Sequence, residues 1–128
     1  MKLLTFAFAA AASTVLTSAA AAATEEDVTI DGFIYTRVNG WADVRFDLLP
    51  AEVHCYVANY TVPGTGYACD DEASGYSFDV LEEHGAELRV YHEVDGTTLA
   101  GDFHIQMNGP IPTILDQVGI SPGVLTPV

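Results

Sequence analysis

Cationic residues are nearly missing from this 128-residue sequence: it has 4 Lys and Arg against 18 Asp and Glu, a formal net charge of -14. The one lysine, Lys2, lies in the first few residues, so beyond it Arg37, Arg45 and Arg89 alone face 18 acids, a balance of -15. Such a surface repels nucleic acid and anionic membranes, both of which require cationic contacts. It solubilises the chain and, of possible partners, favours a basic one. Cysteine is equally sparse, with only Cys55 and Cys69. No Gly-x-Ser-x-Gly element is present, and no His-x-x-x-His or Cys/His spacing of a zinc or copper site. The four histidines, His54, His84, His92 and His104, are scattered, and His92 reads as a core histidine.

Carboxylates abound without a pattern that uses them. Asp70-Asp71-Glu72 and Glu82-Glu83 lack the alternating acid and glycine spacing of a calcium loop, so solvated acidic corners are expected. Paired carboxylates for glycoside hydrolysis need a cleft between them that a domain this small can hardly wall. Neither an enzyme, a metal site nor a cofactor is expected.

What is present begins with a leader. Lys2, an apolar run from Leu3 to Leu16 and the small-residue context Ala21-x-Ala23 read as a secretory signal peptide over residues 1-23. The run is too short and alanine-rich to read as a membrane anchor. The remainder, 24-128, is expected to be a single domain, secreted and extracellular. In an oxidising compartment Cys55 and Cys69 are expected to pair, the alternatives being free thiols or an intermolecular bridge. Closing a loop of this size stabilises by about 3 kcal/mol in the chain-entropy model.

Period-two alternation runs through the rest, the mark of half-buried antiparallel strands. Ala42, Val44, Phe46 and Leu48 should face inward with Asp43, Arg45 and Asp47 outward, and Pro50 should end that strand. In the preceding strand Val28, Ile30, Ile34 and Val38 are expected on one face, and Asn39-Gly40 turns the hairpin. Val53, Cys55 and Val57 should share the inner face of a strand reaching Val62. His54, Tyr56, Ala58 and Tyr60 would take the other, and Pro63-Gly64-Thr65-Gly66 would turn. Asn59-Tyr60-Thr61 is an N-glycosylation acceptor, making Asn59 a candidate site. Tyr76, Phe78 and Val80 begin a further strand, and a polar loop from Glu82 to Ala86 leads to the next.

The Asp95-Gly96 hairpin permits a full register. Val94 opposes Thr97, Leu88 meets Phe103, Val90 meets Gly101 and His92 meets Leu99, while Arg89 faces Asp102 and Glu87 faces His104. A slip of one residue would place the whole apolar set in water. Gly101 opposite Val90 implies a close approach of another strand or a bulge. Leu99, Phe103, Ile105 and Met107 form the apolar face, and Asn108-Gly109-Pro110 should break the strand. Ile114 to Val118 reads as either a helical turn or a short closing strand. The fold class is therefore all-β: a small antiparallel β-barrel or β-sandwich with one disulfide.

Cys55, Tyr67-Ala68-Cys69-Asp70, Tyr76-Ser77-Phe78-Asp79 and Leu88-Arg89-Val90, with the leader and the Trp41 to Leu48 strand, resemble the Alternaria major allergen family of small secreted fungal β-barrels. The likeness spans roughly Thr29 to Ile105. It implies a fungal effector or elicitor that meets plant extracellular defence proteins, thaumatin-like pathogenesis-related proteins among them, and an allergen-like character. It also implies, as an alternative, a barrel carrying an apolar or phenolic ligand. Tyr35, Trp41, Tyr56 and Tyr60 are the outward-facing candidates for ligand or partner binding. The family's second disulfide and its dimer-linking cysteine have no counterpart here, which predicts a monomer or a non-covalent dimer and puts full barrel closure by the short tail in question.

Overall fold

A computed structural model describes residues 24–70 and 72–128; for Glu72, Pro110 and Ile111 it describes the backbone only. The expected signal peptide, residues 1-23, and Asp71 of the acidic corner lie outside the described residues. The described residues form ten strands: β1 Glu26–Val38, β2 Trp41–Leu49, β3 Val53–Ala58, β4 Gly64–Ala68, β5 Tyr76–Val80, β6 Glu87–Val94, β7 Thr97–His104, β8 Met107–Ile111, β9 Ile114–Gln117 and β10 Ser121–Pro127. Among the described residues one 3-10 turn, Glu72–Ser74, interrupts them.

All pairings are antiparallel, in the order β3-β2-β1-β10-β7-β6-β5-β4. The sheet curls until its two ends, β3 and β4, meet. There the Cys55–Cys69 disulfide, with Cα atoms 4.2 Å apart, and the Asp70 N–H donating to the His54 carbonyl at 2.9 Å join the seam. The expected bridge thus closes a barrel-like sheet. Joining the ends also protects two edges that would otherwise offer free backbone groups.

The interior is filled. Phe33, Phe46 and Phe78 lie in a row, with ring centroids 5.8 Å and 5.0 Å apart, and Tyr67 tilts against Phe78 at 5.7 Å. Leu88, Val90, Leu99, Phe103, Ile105 and Leu125 complete the core around them. Ala42, Val44, Phe46 and Leu48 all face in, as alternation requires.

The β6–β7 hairpin keeps the register derived from its turn at every position, from Val94↔Thr97 to Glu87↔His104. Asp95 and Gly96 both have positive φ, the conformation of the favoured two-residue turn. Gly101 is the expected close approach: a Cβ there would collide with the Val124 carbonyl of β10.

Five expectations need correction. In β1 the register shifts between Asp31 and Ile34, where Gly32 adopts φ +67°. This bulge inverts the alternation, so Phe33 and Tyr35 are buried while Ile34 is half-buried and Val38 exposed. The β3 strand stops at Ala58 instead of continuing to Val62, because Asn59 turns the chain with φ 52°. The residues after Pro63 are not only a turn; Gly64 already starts β4. Asn108-Gly109-Pro110 does not break the chain's extension: Thr97 to His104 ends one strand and Met107–Ile111 forms another through those residues. The short tail does complete the sheet. Ile114–Gln117 is a strand, and β10 inserts between β1 and β7, pairing Glu26↔Leu125 on one side and Thr126↔Ala100 on the other.

Candidate functional site

The β1–β2 bulge creates an aromatic outer surface. Beyond Gly32, β1 points Ile34, Thr36 and Val38 outward, and β2 points Trp41, Asp43, Arg45 and Asp47 outward beside them. Register aligns the rows: Ile114, Thr36, Asp43 and Ala58 form one line across β9, β1, β2 and β3, and Asp116, Ile34, Arg45 and Tyr56 the next. Val38 pairs with Trp41 at the hairpin tip. The large apolar side chains of this face stay in solvent: Val38 is 64% exposed, Trp41 62%, Tyr56 45% and Ile114 42%. Ile34, Thr36, Asp43, Arg45 and Tyr56 border a shallow depression of about 120 Å³. Trp and Tyr in such a setting are the residue types that carry interface energy. The charges around them are mostly acidic, with Arg45 and the His54–Asp47 contact at 2.8 Å as exceptions.

The four aromatic candidates therefore separate. Trp41 and Tyr56 share this outer face, whereas Tyr35 (1% exposed) and Tyr60 (8% exposed) are core residues, contrary to expectation. Tyr35 turned inward with the bulge. Its hydroxyl accepts from Arg37 Nε at 3.0 Å, and its ring stands edge-on to His84 at 5.1 Å. Tyr60 turned inward at the left-handed Asn59 and donates its hydroxyl to the Glu83 carbonyl. Burial, then its neighbours Tyr35 and Glu82, hold the Tyr60 phenol above the ordinary tyrosine range. Together these contacts pack Tyr35 and Tyr60 against the 82–86 loop.

Gln117, which sequence reasoning did not single out, holds the bulge. Its Oε1 accepts from the Phe33 N–H at 3.0 Å, and its Nε2 donates to the Ile30 carbonyl and the Ser121 hydroxyl, both at 2.9 Å. A bulge leaves backbone groups without ladder partners, and one carboxamide supplies both a donor and an acceptor. The isolated Gly32 within an alternating run was the available signal for the bulge; nothing in the sequence pointed to Gln117.

A second cluster joins the start of β1 to the far side of the barrel. Glu26 takes a 2.5 Å contact from His92 Nδ1 and accepts the Tyr76 hydroxyl. His92 Nε2 lies 3.1 Å from the Ser74 carbonyl, and the imidazole stacks on Tyr76 at 3.8 Å. Burial first, then Glu26, raises the Tyr76 phenol. Both imidazole nitrogens face acceptors within the fold, which is the geometry of a clasp and leaves neither nitrogen for a substrate.

Asp79, buried on β5, is likewise consumed: it accepts from the Gly66 N–H at 2.8 Å and the Tyr91 hydroxyl at 2.7 Å. A groove of about 430 Å³ runs between the β8–β9 hairpin and the 82–86 loop, with Ile105, Met107, Leu115 and Val118 as apolar walls and His84 and His104 at its rim. Among the described residues no group of three or more His, Cys, Asp or Glu is placed to hold a metal ion. No described helix is long and apolar enough to cross a membrane. Asn59 is exposed at its turn, next to Tyr56 and the outer face.

Compared with known proteins, the chain matches no family model and no characterised relative.

Proposed function

We propose that the protein works outside the cell as an interaction module whose outer β9-β1-β2-β3 face docks on a cationic extracellular protein. One observation carries this reading: Trp41, Tyr56, Val38 and Ile114 are all exposed and lie together on one stretch of sheet, and the two most exposed of them, Val38 and Trp41, pair at its hairpin tip. A rim rich in Asp43, Asp47 and Asp116, on a chain of net charge -14, complements a basic partner and repels acidic ones. The resemblance to the Alternaria allergen family supports reading it as a fungal effector, with a basic thaumatin-like defence protein of a plant host as the partner class to test first. The disulfide supports an extracellular address, because bonds of this kind persist in oxidising compartments.

The test is titration calorimetry of the purified protein against a purified basic thaumatin-like protein. Saturable binding that weakens at least tenfold in the Trp41→Ala/Tyr56→Ala double variant is expected, since truncated anchor residues cost about 2 kcal/mol or more. Binding unchanged in that variant sinks the face. Absence of binding to basic extracellular proteins sinks the partner class.

The alternative, a carrier of an apolar or phenolic ligand, must use a surface site. Phe33, Phe46 and Phe78 occupy the barrel interior, and Tyr35 and Tyr60, two of its four candidate residues, are part of the packing. The groove beside Met107 and Leu115 is where such a ligand would sit.

A further inference from the structure

The acceptor tripeptide Asn59-Tyr60-Thr61 occupies a turn built in a particular way. The β2–β3 ladder ends at the Asp43↔Ala58 pair. Asn59 then takes φ 52°, a left-handed conformation in which Asn is one of the few tolerated non-glycine residues. That single twist sends the middle residue, Tyr60, into the core and leaves Asn59 and Thr61 in solvent on either side of it. A sequon split in this manner has its acceptor and its hydroxyl outside and its anchor inside.

Asp43 ties the turn to the outer face. Its Oδ1 accepts from the Asn59 N–H at 3.1 Å, and its Oδ2 accepts from the Tyr56 hydroxyl at 3.4 Å. Asn59 and Tyr56, three residues apart, thus meet at one carboxylate, and Tyr56 offers a ring that is 45% exposed. An exposed aromatic ring gains by being covered with an apolar surface, and the C–H face of a sugar provides one.

We propose that Asn59 carries an N-linked glycan whose first sugar lies against the Tyr56 ring. In the transfer, the Asn59 carboxamide nitrogen forms a bond to C1 of an oligosaccharide. The bond from C1 to a lipid pyrophosphate breaks, the pyrophosphate leaves with the electron pair, and the amide nitrogen loses one proton. The lipid-linked oligosaccharide is the co-reactant. Because that donor is met in the secretory lumen, the proposal rests on the extracellular reading above, but not on the docking face. With its first sugar on the Tyr56 ring, the glycan leaves Trp41, Val38 and Ile114 as the uncovered apolar part of that face.

The test expresses the full chain, leader included, in a fungal host and follows medium and cells separately. Chain in the medium should bear a glycan by intact mass. Treatment with peptide N-glycosidase should remove it and leave Asp at position 59. Asn59→Gln and Thr61→Ala should both abolish it, and Thr61→Ser should retain it; Thr61→Ala leaves the turn residue itself in place if Asn59→Gln misfolds. Secreted chain with a bare Asn59 overturns the site. Unmodified chain kept inside the cell overturns the extracellular reading along with it. The ring contact is read separately: the glycosylated protein should melt at a higher temperature than its deglycosylated form, and Tyr56→Ala should erase that shift. A shift that survives Tyr56→Ala overturns the contact.

Discussion

Two hairpins with the same kind of two-residue turn behave differently. In β6–β7, Asp95 and Gly96 turn the chain and every pair back to Glu87↔His104 follows without a break. In β1–β2, Asn39 and Gly40 turn it with the same positive φ angles, yet the register slips between Asp31 and Ile34. A turn sets register only as far as the ladder is regular. Past a bulge, a period-two pattern continues but its faces exchange. The unbroken hairpin has an outer surface of opposite charges, Arg89 to Asp102 and Glu87 to His104. The broken one has an outer surface of Ile34, Val38 and Trp41. One outer surface is charged, and the other carries exposed apolar side chains.

Substitutions sharpen the contrast in decreasing order of effect. Phe103→Ala removes a buried ring from the unbroken hairpin, where Leu88 and Gly123 pack around it. It should cost about 3–5 kcal/mol by urea denaturation. A loss below about 1 kcal/mol would show that this hairpin does not anchor the core. Gln117→Ala leaves the Phe33 N–H and Ile30 carbonyl of the bulge without their partner. A loss of about 1–3 kcal/mol is expected. Hydrogen exchange at Phe33 should rise with it, and unchanged exchange would mean water or a ladder bond takes over.

Gly32→Ala tests the bulge from the other side. The nearest atom to a Cβ there is Asp47 Oδ2 at 3.9 Å, so space is adequate and only the left-handed φ of +67° is penalised. The expected loss is about 1 kcal/mol. Stabilisation instead would mean the bulge relaxes into regular alternation, and Tyr35 fluorescence should then report exposure. Smallest of all is Arg89→Ala. The Arg89–Asp102 pair is bidentate, at 2.6 Å and 3.1 Å, but both side chains stand well into solvent. Its removal should leave the unfolding midpoint unchanged within error, since exposed pairs contribute little. A clear drop would give the charge pair, rather than apolar burial, a part in setting the β6–β7 register.

Trp41 and Tyr56 were legible as outward residues because each lies on a strand segment free of irregularity, one residue from an inward neighbour, Ala42 and Cys55 respectively. Tyr35 and Tyr60 were misread for one shared reason: a left-handed residue, Gly32 or Asn59, stands between them and the pattern used to orient them. The same inversion moved Ile34 and Val38 from the expected core to the outer face. Glu26 and Gln117 lay beyond reach altogether. Each has a partner more than 60 positions distant: Glu26 contacts His92 and Gln117 contacts Phe33. Local periodicity carries no information about such pairs.

By itself the sequence determined the all-β class, the Cys55–Cys69 pairing, the complete β6–β7 register and the inward set of β2. All four follow from interactions between near neighbours: alternation, turn chemistry and a short covalent loop. Tertiary structure alone decided that β10 slips between β1 and β7, that the disulfide closes the seam between β3 and β4, and that the aromatic face is made by Trp41 and Tyr56 without Tyr35 and Tyr60. The physical reason is the same in each case. Which strands meet, and where a bulge falls, is settled by burying the whole apolar set while satisfying every backbone group at once, and that condition is met only by the complete barrel.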